Sequence, residues 1–213
     1  LLRYALRAPL HRPLLNTRVK TDARRNAILA AATDIFREVG YARASMAMIS
    51  ARLGGSKGTL YGYFKSKEEL FGAAMMEVME GQAADAVRLL DASEPDIALV
   101  LRRFGMAYLA LLTSADAVAI MRTAIAEGAN SKLGKSLYDA GCGGTWAEVK
   151  TYLTQLQTSG AIRGADNRFV AAHLKGLLEA GIIEPPLYGA EPWFDTEQSV
   201  AFAVDAFLRA YAI

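Results

Sequence analysis

The sequence predicts an all-α protein in two parts: a small three-helix unit over residues 21–67 and a larger helical bundle over residues 68–213. Three observations predict it. Alanine is abundant and proline is limited to six positions, a composition that favours helix. Apolar residues recur at three- and four-residue spacing in one stretch after another. The segment Ser45–Leu70, SMAMISARLGGSKGTLYGYFKSKEEL, reads as helix, tight turn, helix and the start of a third helix. With 53% hydrophobic and 22% charged residues the chain is globular rather than disordered, and 213 residues enclose an ample core.

The Ser45–Leu70 segment organises the rest. Ser45 is suited to accept from a free amide as an N-cap, and Met46, Ile49 and Leu53 follow on one buried face. Gly54 and Gly55 allow a sharp turn. Ser56 caps the second helix, from which Leu60 and Phe64 point back into the core. Its other face carries Lys57, Gly58, Thr59, Tyr61, Gly62 and Tyr63, followed by Lys65 and Lys67. Ser66 and Glu69 form a capping box for the next helix. A short helix without acids, with free amides at its N-terminus, suits phosphate oxygens and base edges. DNA contacts are therefore expected from Ser45, Ser56, Lys57, Gly58, Thr59, Tyr61, Gly62, Tyr63 and Lys67. Charge agrees: residues 1–70 hold 13 Lys/Arg against 5 Asp/Glu, and residues 71–213 hold 11 against 17.

GSKGTLYGYFKSKEEL resembles the signature of TetR-type bacterial transcriptional regulators, over roughly residues 24–71. The C-terminal stretch is similar to the AefR-like branch. The resemblance implies an N-terminal helix-turn-helix domain that binds a double-stranded DNA operator, and a helical C-terminal domain that binds a small-molecule effector and forms a homodimer. It implies a repressor released from its operator by that effector. The chain departs from the family pattern at Ser50, Leu53 and Gly55, where Ala, Ala and Val are usual, and Gly55 is expected to loosen the turn. Ala47 and Met48 stand where many members have polar residues, and Gly62 replaces a larger one.

In chain order, residues 1–20 read as a disordered basic extension, with an arm that adds phosphate contacts as the alternative. A helix from about Asp22 to Val39 buries Ile28, Ala31, Ala32, Ile35, Phe36 and Val39, and Gly40 ends it. After the helix-turn-helix, a helix from Lys67 to about Leu90 links the two parts. Further helices are expected over about 96–112 and 115–126. Residues 131–140 read as a short helix at best, the GCGG at 141–144 as a flexible break, and a helix resumes at Thr145 to about Thr158. Asp166 caps a helix to Ala180, IIEPPLYGAEPWF reads as a loop, and the Asp195–Gln198 capping box opens the last helix to about Ala212. The last two helices carry broad apolar stripes and are expected to pair with those of a second copy in a four-helix interface.

The central helices hold Phe104, Tyr108, Met121, Tyr138, Trp146 and Tyr152, some of which are expected to line an apolar effector cavity. Arg122, Glu127 and His173 are the candidate polar anchors; plain core packing is the alternative for the aromatics. No catalytic, metal or cofactor set is expected: there are two histidines, no Glu-x-x-His pair and no phosphate-loop pattern. A helical-bundle enzyme and an effector-independent architectural DNA-binding protein are the competing classes. The lone Cys142 excludes an intramolecular disulfide, which fits a cytoplasmic setting, and no stretch approaches a membrane span.

Overall fold

The computed structural model describes residues 15–213, apart from the side chains of residues 15–20 and 140–143. Residues 1–14, most of the expected basic extension, lie outside the described residues. The helices are α1 (Leu15–Arg43), α2 (Met46–Arg52), α3 (Lys57–Tyr63), α4 (Lys67–Val87) and α5 (Ile97–Leu112). They are followed by α6 (Ala115–Glu127), α7 (Leu133–Thr158), α8 (Asn167–Glu179), α9 (Glu184–Leu187) and α10 (Thr196–Tyr211). Among the described residues there is no strand, only an isolated antiparallel bridge between Ile162 and Ala212.

α1 is described from Leu15, ahead of the expected start at Asp22, because no Gly or Pro interrupts residues 15–21. Gly40 breaks α1 with φ of 75°, and one further turn follows to Arg43. Side-chain caps close most of the other helix starts: Ser45, Ser56, Ser66, Asp96, Ser114, Asp166 and Asp195 each accept from a first-turn amide.

Two hydrophobic clusters hold the molecule. The head cluster joins Ile28, Leu29, Ile35 and Phe36 of α1 to Met46 and Ile49 of α2, Leu60 of α3, and Leu70, Phe71 and Met75 of α4. Leu133 and Leu137 of α7 complete it, so the head is sealed by the body. The body cluster is formed by α5, α7, α8 and α10, with Leu101, Phe104, Leu153, Leu174, Val204 and Phe207 near its centre. α4 packs against both α1 and α7, which makes it the shared wall.

Two expectations are corrected. The GCGG stretch does not break the chain: α7 runs through residues 141–144 as one helix. Each glycine costs about 1 kcal/mol relative to alanine in a helix. Packing outweighs that local cost, because Leu133 and Leu137 are held in the head cluster and Trp146, Val149 and Leu153 in the body cluster. The IIEPPLYGAEPWF loop contains a one-turn helix, α9, where Pro185 sits in the first turn and needs no amide partner.

Candidate functional site

The head presents α3 to solvent. Ser56 Oγ accepts from the Thr59 amide at 3.2 Å and lies 3.0 Å from Thr59 Oγ1, which fixes the first turn. Leu60 is buried beneath it, while Lys57, Gly58, Thr59, Tyr61 and Gly62 are exposed on one face. Tyr63 is half-buried against the head cluster. Ser45 Oγ accepts from the Met48 amide at 3.2 Å, so its hydroxyl closes α2. Lys67 is also engaged: its Nζ donates to Tyr41 O at 3.0 Å and lies 4.2 Å from the Tyr41 ring centre. Tyr41 in turn donates to Glu68 Oε1 at 3.2 Å, and burial with the nearby Glu68 and Glu127 charges pushes its phenol up. It stays a neutral donor at any working pH.

Two of the residues that depart from the family pattern, Ser50 and Gly55, meet in the turn between α2 and α3. Gly54 sits at φ of 61°, which a side chain would resist. Buried Ser50 donates its hydroxyl to Gly55 O at 3.0 Å, a bond an alanine could not make. A Cβ at Gly55 would sit 2.6 Å from Arg24 Nη2, so the missing side chain makes room for that guanidinium. The Ser50 hydrogen bond thus ties the turn that Gly55 is expected to loosen.

Below the head, a cavity of about 340 Å³ lies between α4, α5, α6, α7, α8 and α9. Met75, Met76 and Met79 of α4 form one wall; Ile120, Met121 and Ala124 of α6 form another. Thr145 and Trp146 stand two turns along α7 from Tyr138, and all three line the cavity because the helix does not break between them. At one end the wall turns polar. Trp146 Nε1 donates to Tyr108 Oη at 3.1 Å, Tyr108 Oη donates to Glu179 Oε1 at 2.5 Å, and Lys175 Nζ donates to Glu179 Oε2 at 2.5 Å.

Of the expected effector residues, Tyr108, Met121 and Trp146 line this cavity, as does Tyr138. Phe104 stands behind the wall, fully buried, stacked on Tyr108 and edge-on to Trp146. Arg122 faces away and donates to Leu187 O at 3.0 Å and Pro186 O at 2.5 Å, pinning α9. His173 turns to α10, with Nδ1 2.5 Å from Tyr211 Oη. Glu127 pairs with Ser131, and Tyr152 is buried off the cavity, its phenol pushed up to about 12 chiefly by burial. Sequence reasoning missed Lys175 and Glu179. Their i,i+4 spacing on α8 was the available signal, but the same spacing marks ordinary surface pairs.

The same helices connect cavity and head. Arg37 of α1 makes a bidentate pair with Asp116 of α6, Nε to Oδ1 at 2.9 Å and Nη2 to Oδ2 at 2.6 Å. Hydrogen bonds from that guanidinium hold the Asp116 carboxyl below its usual range. Among the described residues no group of three His, Cys, Asp or Glu side chains is placed to hold a metal ion. No single helix among them is long and apolar enough to cross a membrane.

No curated protein matches the sequence. Solved structures do. One assigned to the TetR family, from Mesorhizobium loti, superposes with a TM-score of 0.80 at 25% identity, covering 90% of this chain and 98% of its own. A TetR transcriptional regulator from Agrobacterium tumefaciens gives 0.70 at 25% identity, covering 90% and 95%. The complex of SmeT with triclosan gives 0.63 at 27% identity, covering 90% and 92%; SmeT is the repressor of the Stenotrophomonas maltophilia multidrug efflux pump SmeDEF. Two family models match the chain: bacterial regulatory proteins of the tetR family over residues 28–74, and the C-terminal domain of AefR-like transcriptional repressors over residues 99–213. With its exposed reading helix and the long C-terminal match, the chain belongs to the TetR family of bacterial transcriptional regulators, in its AefR-like branch.

Proposed function

We propose that the protein is a homodimeric repressor whose grip on a two-half-site operator is released when a small molecule fills the cavity. One observation carries this reading: α4 and α6 wall the cavity and also hold the head. α4 contributes Met76 and Met79 to the cavity and Leu70 and Phe71 to the head cluster. α6 contributes Met121 to the cavity and Asp116 to the pair with Arg37. A molecule that shifts either helix moves α3 relative to its partner copy. That SmeT, a structural neighbour at 27% identity, forms a complex with triclosan supports a small-molecule ligand.

α3 enters the major groove, with Lys57, Thr59, Tyr61 and Tyr63 toward the DNA and Gly58 and Gly62 permitting close approach. The first-turn amides of α2 and α3 that Ser45 and Ser56 leave uncapped face phosphates, and Lys67 adds a charge at the edge. Half-sites stand about one helical turn apart, roughly 34–36 Å. The dimer forms through α8 and α10, whose inner faces fill the body core while Phe169 and Phe202 remain 62% and 77% exposed. Exposed Ala172, Gly176 and Ala206 let the paired helices approach closely. The protein acts in the cytoplasm, on DNA.

The test is a gel-shift series on the DNA upstream of the protein's own gene, with salt varied, beside sedimentation of wild type and Phe202→Glu. The expected result is a dimer that binds duplex DNA with a steep salt dependence, and a monomeric variant that does not. A wild-type monomer, or no duplex binding at low ionic strength, overturns the reading.

A further inference from the structure

We propose that the cavity selects an uncharged, largely apolar molecule bearing one hydroxyl, an alcohol or phenol, seated against the Lys175–Glu179 pair. The inference rests on the reading of this cavity as the effector site and names the chemical class it takes.

The wall away from this pair is mostly apolar, broken by Glu80, Tyr138 and Thr145, and methionines from α4 and α6 supply much of it. Unbranched thioether side chains adapt to varied shapes, so the wall constrains polarity more than outline. Charge enters at the Lys175–Glu179 end, where side-chain exposures of 33% and 20% leave the pair partly withdrawn from water. The other charged lining residue, Glu80, is exposed on α4. Inside, then, the two charges cancel each other. A carboxylate ligand brings a second negative charge beside Glu179, and an ammonium ligand a second positive charge beside Lys175. At this end neither finds an uncommitted countercharge, the remaining carboxylate, Glu80, being exposed on α4, and an unpaired charge withdrawn from water is strongly disfavoured.

A hydroxyl fits what this end offers. It donates and accepts at once, a carboxylate oxygen takes more than one donor, and an ammonium carries three. Glu179 has both oxygens fixed in place, one by Tyr108 and one by Lys175. Trp146 holds the Tyr108 phenol from behind. The acceptor is thus set before the ligand arrives, and little ordering remains to oppose binding.

Isothermal titration of the full chain with 4-hexylphenol, 4-hexylbenzoate and 4-hexylbenzylamine tests this, because the three share one apolar body and differ in charge. The phenol should bind about tenfold tighter than either ion. Glu179→Gln, which leaves Lys175 without its countercharge, should turn the preference toward the benzoate. Lys175→Met should turn it toward the benzylamine. Either ion binding the unmodified protein as tightly as the phenol overturns the proposed class while leaving the cavity as a ligand site. An unaltered order of preference in both variants overturns the role given to the pair. Phenol affinity unchanged by the cavity-filling Met121→Trp places binding elsewhere and overturns the site together with the class. Phenol binding that is lost in Met121→Trp but never releases DNA supports the class and overturns the effector reading alone.

Discussion

The head and the body put their functional surfaces together in opposite ways. In the head, the reading face belongs to one helix of seven residues, α3, with its cap, its turn and its buried anchor Leu60 all within a dozen positions. In the body, the cavity draws its wall from six helices, and residues as distant as Tyr108 and Glu179 meet at 2.5 Å. A surface written locally survives changes far away, provided the helix stays folded. A surface assembled from distant segments depends on every packing contact behind it. The contrast is incomplete at one point: Leu133 and Leu137 of α7 sit in the head cluster, so the local surface still leans on the body.

Truncating the body core strikes hardest and shows how far that dependence reaches. Phe104→Ala removes a fully buried ring stacked on Tyr108 and edge-on to Trp146, and is expected to cost about 3–5 kcal/mol. The cavity wall should loosen with it. Denaturant unfolding followed by circular dichroism, beside hydrogen exchange of α2 and α3 amides, checks both statements. Head amides should lose protection in parallel with the body, because α7 seals both clusters. A head that keeps wild-type protection in this variant would mean that it folds alone.

The next effect separates the two lysines expected at the DNA. Lys57 is exposed on the reading face, so Lys57→Ala should weaken binding to all duplexes and lower the salt slope by about one. Lys67 is tied to the Tyr41 carbonyl and ring, a contact of about 0.5–2 kcal/mol for a cation over an aromatic face. Lys67→Ala should therefore lower head stability as well as DNA affinity. Fluorescence anisotropy at several salt concentrations, paired with thermal unfolding, distinguishes them. Equal unfolding midpoints for the two variants would show that the Tyr41 contact contributes nothing.

This contrast also explains what was legible in the sequence. Caps at Ser45, Ser56, Ser66, Asp166 and Asp195 are local signals, and each accepts from the first-turn amide that its position demands. The family, the all-helical fold and the exposed α3 follow from such signals. The break expected at GCGG failed because local glycine propensity was outweighed by leucines held in another part of the fold. Tyr108, Met121 and Trp146 were legible as apolar residues on central helices, yet nothing local separated them from Phe104, which stands one layer behind. Arg122 and His173 carried the right chemistry and point at α9 and α10 instead. Lys175 and Glu179 looked like a surface pair, and only the fold brings Tyr108 of α5 onto Glu179.

The smallest effect concerns the joint between the two regions. Arg37 and Asp116 are 51% and 29% exposed, so the pair contributes at most about 1 kcal/mol to stability. Arg37→Ala should leave folding and effector-free DNA affinity near wild type, yet reduce the loss of DNA affinity on effector binding. The pair holds α1 to the helix that carries Met121, and coupling between such sites is typically about 1–3 kcal/mol, so even part of it is measurable. Acid provides an independent handle. Arg37 depresses the folded-state carboxyl of Asp116 below 3.8, so the pair's contribution is complete above the unfolded value and fades as pH falls through the folded one. The stability difference between wild type and Arg37→Ala should therefore be constant from about pH 5 to 8 and shrink only in stronger acid. A difference that already changed near neutrality would point to another titrating group. A difference that persisted unchanged through strong acid would mean that Arg37 stabilises the joint by packing rather than by its charge.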